Sequence, residues 1–246
     1  MGTSFEAGRA CAPAPITGPD HAAIDLVGSA CHLGRRQKAA RRSSEHMPFI
    51  QHNGKRVLLI HIPKTGGTSL ENWMKTIAPL RMFSMGVPAA SKCTPQHYRM
   101  QDVRALLGEG FFDLAVAVVR NPYARIESEY RMRAQLAKES FFKGIANFTP
   151  WLEESLSRQK REPFFLDNHL RPQWEFLGSD IEVFRLEDGL LAPAARIADV
   201  LGVASPEILP RDLVTDPLDI IWDQIDRIRV REHYARDFET LDYPTD

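Results

Sequence analysis

The feature of this sequence that most limits its fold is a short apolar run that leads directly into a glycine-containing loop and then a helix. Residues 56–62 (RVLLIHI) are mostly aliphatic and partly β-branched, a composition typical of a buried strand. Beyond the loop, Leu70, Trp73, Met74 and Ile77 recur at the spacing of one helix face. A strand, a tight loop and a helix in this order predict one βα unit of an α/β domain.

Two further strand-and-helix patterns follow along the chain. Residues 114–119 (LAVAVV) predict a second buried strand, and Pro122 stands where the next helix would begin. Residues 181–186 (IEVFRL) predict a third strand, with an amphipathic helix after it that Gly202 would end. We therefore expect an α/β layer fold with a largely parallel sheet. A long helix over residues 218–241 should close the chain.

The bulk properties exclude several classes of protein. A formal net charge of −1 over 246 residues creates no global field that would attract nucleic acid or an anionic membrane, so any anion site must be local. No apolar run approaches the roughly 18–20 residues of a membrane span, and no signal peptide is apparent. Three cysteines without CxxC spacing argue against a disulfide scaffold or a zinc site. These properties predict a cytoplasmic protein.

Residues 1–46 differ from the rest of the chain. They are rich in Gly, Ala, Pro and Ser and lack the apolar periodicity that a folded segment needs. We expect a disordered extension here and a single domain over residues 47–246. The alternative is a basic arm that binds a polyanion, since this stretch carries Arg35, Arg36, Lys38, Arg41 and Arg42.

The loop at residues 63–69 (PKTGGTS) predicts a site for a phosphate-like group. A helix N-terminus offers unpaired N–H donors and the positive end of its dipole. Gly66 and Gly67 allow the backbone amides to turn inward, and Lys64 adds a positive charge. Thr68 and Ser69 add hydroxyl donors. The loop is not a Walker A motif, because that motif has its lysine after the glycines. The alternative is an ordinary capped helix start.

A second anion site is predicted where residues 114–119 run into Arg120. An arginine that ends a buried strand lies at the carboxyl edge of the sheet, where open α/β folds bind ligands. Ser128 follows about two helical turns later and could share an anion with Arg120. The alternative is that Arg120 merely pairs with a carboxylate. Two anion sites at one sheet edge favour a nucleotide that carries phosphate at both ends.

Together these segments resemble the sulfotransferases that use 3′-phosphoadenosine 5′-phosphosulfate (PAPS), in particular the carbohydrate branch of heparan sulfate 2-O-sulfotransferase-like enzymes. Residues 61–69 (HIPKTGGTS) are similar to that branch's 5′-phosphosulfate loop, and residues 119–130 (VRNPYARIESEY) to its 3′-phosphate segment. The resemblance implies a three-layer α/β/α fold like that of P-loop kinases. The sequence departs from the animal relatives in that no membrane anchor is apparent, so we expect a soluble, bacterial-type member. The residues that it implies around the sulfuryl end are Lys64, Thr65, Gly66, Gly67, Thr68 and Ser69, with Arg120 and Ser128 on the 3′-phosphate.

The proposed reaction needs a cation beside the leaving group and a base for the acceptor hydroxyl. Lys64 suits the first role, and a histidine suits the second near neutral pH. His97 lies between the two nucleotide motifs, where the related enzymes have their catalytic histidine. His169 is the alternative base, and together with Arg171 and Gln173 it could instead bind a sugar.

The predicted reactants are PAPS, which would leave as adenosine 3′,5′-bisphosphate, and a glycan or glycoconjugate. No metal is required. The alternatives are a P-loop-like small-molecule kinase or NTPase, and a non-catalytic nucleotide-binding module. A kinase would need a lysine after the glycines and an acidic magnesium ligand at a strand end, and Asp113 precedes its strand.

Overall fold

The computed structural model describes residues 49–81, 86–139, 147–209 and 218–245. Over these ranges the chain is a mixed α/β structure with four strands and seven α-helices. The strands are β1 (Phe49–His52), β2 (Lys55–Ile60), β3 (Leu114–Val119) and β4 (Ile181–Arg185). The helices are α1 (Gly67–Ile77), α2 (Met100–Leu107), α3 (Pro122–Glu139), α4 (Phe148–Arg161), α5 (Leu191–Leu201), α6 (Gln224–His233) and α7 (Ala235–Thr240).

The disordered extension expected over residues 1–46 lies outside the described residues. Within the described ranges, no helix combines the length and the apolar character that crossing a bilayer requires.

The sheet has the strand order β1-β2-β3-β4. Strand β2 pairs parallel with β3, and β3 pairs parallel with β4, as the sequence predicted. Strand β1 is antiparallel to β2. The two are joined through Asn53 and Gly54, whose φ angles of 49° and 76° fit a two-residue hairpin turn with both residues left-handed. The parallel strands place the carboxyl ends of β2, β3 and β4 at one edge.

Residues 57–60 of β2 and the whole of β3 are apolar because the sheet is covered on both faces. On one face, Leu58 and Ile60 join a hydrophobic cluster that includes residues of α3, α4 and α6. On the other face, Val57 and Leu59 join a cluster that includes residues of α1 and α5. Side chains of a strand alternate between faces, so a continuous apolar run is what two covered faces require.

The helices next to the strand ends begin and end where the sequence predicted. Helix α1 buries Leu70, Trp73 and Met74. Helix α3 starts at Pro122, and the side-chain oxygen of Asn121 accepts the Tyr123 N–H at 2.9 Å, which satisfies one exposed donor. Helix α5 ends at Gly202, which has a left-handed φ of 65°.

The prediction of one long helix over residues 218–241 was wrong. Helix α6 starts only at Gln224, and Tyr234 separates it from α7 with φ −107° and ψ 25°. Two long-range contacts explain the break. The buried Tyr234 hydroxyl donates to the Leu170 carbonyl at 2.8 Å, and Asp237 accepts the backbone N–H of Gln173 at 2.9 Å. These contacts fix the C-terminal segment against residues 170–174, which the helical periodicity cannot reveal.

Removal of the Tyr234 hydroxyl should destabilise the fold without changing it. In Tyr234→Phe the buried Leu170 carbonyl loses its donor, so the free energy of unfolding should fall by about 1–2 kcal/mol in urea titration. Tyr98→Phe is the matched control, because Tyr98 is also buried but its hydroxyl makes no hydrogen bond that is seen among the described residues. Equal effects of the two variants would contradict this account.

Candidate functional site

The glycine loop, residues 63–69, follows β2 and leads into α1 at the carboxyl edge of the sheet. The loop turns sharply because Lys64 and Gly66 have left-handed φ angles of 70° and 86°. Helix α1 has no side-chain N-cap and no acidic residue in its first turn. Its N–H donors and the positive end of its dipole therefore face the loop, as an anion site requires.

Gly67 is required by a close approach of His61. A Cβ atom on Gly67 would lie 2.9 Å from the His61 ring. That ring is buried, and Glu71 accepts a hydrogen bond from its Nδ1. Gln96 donates to both carboxylate oxygens of Glu71 at 3.2 and 3.1 Å. The His61 ring is thus held in place and leaves no room for a side chain at Gly67.

Lys64 is a half-buried cation at the mouth of this loop. Its ammonium group lies 3.3 Å from the Met132 sulfur, and it forms no ion pair with a carboxylate among the described residues. Burial lowers the pKa of Lys64, although the field of Glu129 opposes this shift. An anion bound at the loop would favour the charged ammonium and offset the cost of its burial.

The other predicted loop residues lie where the motif places them. Thr65 is buried, and its hydroxyl donates to the Ile62 carbonyl at 2.8 Å, which helps to shape the loop. Thr68 is half-buried and Ser69 is buried, both in the first turn of α1.

Arg120 lies directly against the glycine loop, where its Nη1 donates to the Lys64 carbonyl at 3.2 Å. Its backbone N–H and carbonyl are both bonded to the Gln173 side chain, at 2.9 and 2.8 Å. Burial lowers the pKa of the guanidinium, which nevertheless stays charged. Ser128 is half-buried in α3, and no hydrogen bond to Arg120 is seen between these two described residues. The structure thus brings Arg120 to the loop.

Arg125 links the glycine loop to the segment after residue 168. Its side chain is only 2% exposed. Its three nitrogens donate to the carbonyls of Pro63 at 2.9 Å, Arg171 at 2.9 Å and His169 at 2.8 Å. Both segments are thus held by one guanidinium.

Three histidines lie side by side next to the loop. The ring of His97 is 5.4 Å from that of His61 and 4.9 Å from that of His169, each in an edge-to-face arrangement. Every one of them is bonded through Nδ1 to a carboxylate. An ionised carboxylate can only accept, so Nδ1 carries the proton and Nε2 can act as a proton acceptor.

His169 and His97 differ in the groups that surround them. Burial lowers the pKa of His169 to about 4, against the opposing effect of Glu129. Glu129 is shared, because Arg133 donates to it at 2.8 Å. His97 is bonded to Asp167 at 2.8 Å. Burial would raise the pKa of Asp167, but hydrogen bonds from His97 and Thr94 lower it on balance.

Arg171 and Gln173, which the sequence offered as sugar-binding residues, are buried and bonded within the protein. Arg171 donates to Asn168 at 2.8 Å, to the Pro163 carbonyl at 2.8 Å and to Glu175. Gln173 is bonded to the backbone of Arg120. The structure therefore gives these two side chains protein partners in place of an exposed surface. His169 lies beside His97 and is partly exposed.

Sequence reasoning missed several residues of this site. Arg125 lies inside the second nucleotide motif, but nothing in the sequence distinguishes it from an ordinary polar residue of a helix. Glu71 and Glu129 lie on helices, and their spacing to His61 and His169 gives no sign of a bond. Asp167 is 70 residues from His97 in the chain. Only the fold brings these pairs together.

We expect Gly67→Ala to destabilise the protein, against the usual trend. Alanine in place of glycine within a helix normally stabilises by about 0.5–1 kcal/mol. Here the new methyl group would meet a fixed ring, so the free energy of unfolding should fall by about 1–3 kcal/mol. The same substitution made in a His61→Ala background should lose this penalty. A stabilising effect of Gly67→Ala alone would contradict the packing described above.

The part of the chain that carries this site matches a known protein family. The model of a family described as the sulfotransferase family (Sulfotransfer_2) matches residues 47–204. No curated protein and no solved structure matches the chain. The matched region includes the glycine loop, Arg120 and the three histidines, and it covers more than half of the chain. The chain therefore belongs to the sulfotransferase family.

Proposed function

We propose that this protein transfers the sulfuryl group of PAPS to a hydroxyl of a carbohydrate or glycoconjugate. The observation that carries this proposal is the convergence of three features at the carboxyl ends of β2 and β3. These are an uncapped helix N-terminus, two half-buried cations, and a histidine bonded to a carboxylate. The resemblance to heparan sulfate 2-O-sulfotransferase-like enzymes, and to their three-layer P-loop-like fold, supports the same reading.

The residues present fit a donor with anionic groups at two places. The glycine loop, with Lys64 at its mouth, would take the 5′-phosphosulfate on the amides of residues 65–69. Arg120, whose guanidinium is bonded to the Lys64 carbonyl of the loop, would take the 3′-phosphate together with Ser128. Both cations are desolvated and lack a carboxylate partner within ion-pair distance among the described residues. An anionic ligand would supply that partner.

Bound PAPS would supply an activated sulfuryl group, and the protein would contribute placement and charge stabilisation. Lys64 would neutralise the charge that develops on the leaving phosphate. His97 would accept the proton of the acceptor hydroxyl at Nε2. We assign the base to His97 and not to His169, because burial lowers the pKa of His169 to about 4 and so weakens it as a proton acceptor near neutral pH. The mechanism needs no metal.

The acceptor would bind on the side of His97 that faces His169. We propose that His169 contacts the acceptor, since it is partly exposed beside His97. Arg171 and Gln173 would support this surface indirectly. Arg171 anchors residues 163–175, and Gln173 holds the backbone of Arg120.

A ligand comparison separates this proposal from the kinase and NTPase alternative. Adenosine 3′,5′-bisphosphate should raise the melting temperature, whereas ATP with magnesium should have little effect, because ATP lacks the 3′-phosphate that Arg120 would bind. Stabilisation by ATP with magnesium alone would favour the kinase class. Turnover of labelled PAPS with a panel of glycans then tests the reaction itself.

Arg120→Ala should weaken binding of adenosine 3′,5′-bisphosphate by about 1.5–3 kcal/mol, as expected for a lost hydrogen bond to a charged group. Adenosine 5′-phosphosulfate lacks the 3′-phosphate and should bind the variant and the parent alike. Arg104→Ala, at the opposite edge of the sheet where Arg104 pairs with Asp180, is the matched control and should change neither affinity. Equal losses for both nucleotides would argue for a displaced glycine loop.

His97→Ala should lower kcat by roughly 10²–10⁴-fold, the usual contribution of a positioned base, and leave PAPS affinity unchanged. His169→Ala should act mainly on the KM of the acceptor. The pH profile gives a second test. An acid limb of kcat/KM well above pH 4 would exclude His169, whose pKa burial lowers to about 4. Near-normal turnover of His97→Ala, with turnover lost in His169→Ala, would reverse the two roles.

A further inference from the structure

Three consecutive non-glycine residues beside the histidines adopt the left-handed backbone conformation. Leu166, Asp167 and Asn168 have φ angles of 52°, 56° and 67°. L-residues avoid this region, and runs of such residues are rarer still. A strained turn of this kind persists only where the surrounding contacts fix it. Here the turn is bonded to His97, Thr94 and Arg171.

The left-handed turn holds both the ring and the backbone of His97. Asp167 Oδ2 accepts from His97 Nδ1 at 2.8 Å. Asn168 Nδ2 donates to the His97 carbonyl at 3.0 Å, while its Oδ1 accepts from Arg171 Nε at 2.8 Å. Arg171 in turn donates to the Pro163 carbonyl. The turn is therefore tied to the protein on both sides of Asp167.

We propose that Asp167 is a positioning residue that keeps the proton of His97 on Nδ1, so that Nε2 is free to accept the proton of the acceptor hydroxyl. The catalytic consequence rests on the proposed function. The effect of Asp167 on the His97 ring can be measured separately.

The hydrogen bonds of Asp167 make this proposal specific. Oδ1 accepts the backbone N–H of Thr94 at 2.7 Å, and Oδ2 accepts the Thr94 hydroxyl at 2.7 Å in addition to His97. All of these bonds come from neutral donors if His97 is neutral. Glu129, by contrast, divides its charge between His169 and Arg133. Among the residues that the structure describes, no lysine or arginine is bonded to Asp167 in competition with His97.

The same geometry predicts what an amide would do at this position. The backbone N–H of Thr94 can only donate, so the side-chain amide introduced by Asp167→Asn must turn its oxygen toward that N–H. The NH₂ group of the amide then faces His97 Nδ1, which must accept. The proton of the neutral ring moves to Nε2, which is the wrong nitrogen for a base in this site. Asparagine tolerates the left-handed region as well as aspartate does, so the turn itself should survive.

The ring nitrogens can be followed directly by ¹⁵N NMR of histidine-labelled protein, with His97→Gln used to assign the signals. At neutral pH the parent should carry the His97 proton on Nδ1, and Asp167→Asn should carry it on Nε2. Among the described residues, the other titratable rings that face His97 are those of His61 and His169, whose carboxylate partners are unchanged in this variant. Their signals should therefore keep their tautomers.

Turnover provides the functional readout. Asp167→Asn should lower kcat by roughly 10²–10⁴-fold, as expected when a base is held in the wrong tautomer, with KM and the affinity for adenosine 3′,5′-bisphosphate within about twofold of the parent. Asp167→Glu restores a carboxylate and should recover at least about tenfold of the loss. A merely structural role would affect both variants alike. Asp199→Asn, on the exposed surface of α5, is the matched control.

The outcomes separate the two proposals. A parent with the His97 proton on Nε2, or an Asp167→Asn variant with its proton still on Nδ1 and normal turnover, would overturn the role of Asp167. Absence of sulfuryl transfer by the parent would overturn the proposed function, while the tautomer would still decide whether Asp167 orients His97.

Discussion

The guanidinium of Arg125 is the contact on which the site depends. It is buried, forms no ion pair with a described carboxylate, and is satisfied by three backbone carbonyls from two separate segments. A buried charge is costly unless its hydrogen bonds are complete. The carbonyls of Pro63, His169 and Arg171 are thus held at fixed distances from one another. Arg125 therefore fixes the position of the glycine loop relative to the segment that contains His169 and Arg171.

A second connection runs from the glycine loop to the proposed base through side chains. The His61 ring packs against Gly67, is held by Glu71, and lies edge-on to His97. Gln96, next to His97 in the chain, donates to Glu71. A movement of the glycine loop would therefore also affect the position of the His97 ring. This packing explains why the second glycine of the loop is needed even though its φ angle is ordinary.

The three histidine–carboxylate pairs show how one environment can give similar groups different properties. All three rings have a carboxylate on Nδ1, yet the partners differ in what else they bind. Glu129 also binds Arg133, and burial dominates the low pKa of His169. Asp167 accepts its other bonds from the Thr94 amide and hydroxyl. Differences of this kind are how proteins assign distinct acid and base roles to neighbouring groups.

The elements that could be predicted from the amino-acid sequence are those whose signals are local. Strands β2 and β3, the starts of α1 and α3, and the end of α5 at Gly202 follow from apolar runs, periodicity, and the backbone preferences of proline and glycine. Tertiary structure alone decided the break at Tyr234, the burial of Arg171 and Gln173, and the pairing of His97 with Asp167. Arg125 meets its carbonyl partners across 62 and 46 residues. Hydrogen bonds over such separations depend on how the chain packs, and the spacing of residues in the sequence does not predict that packing.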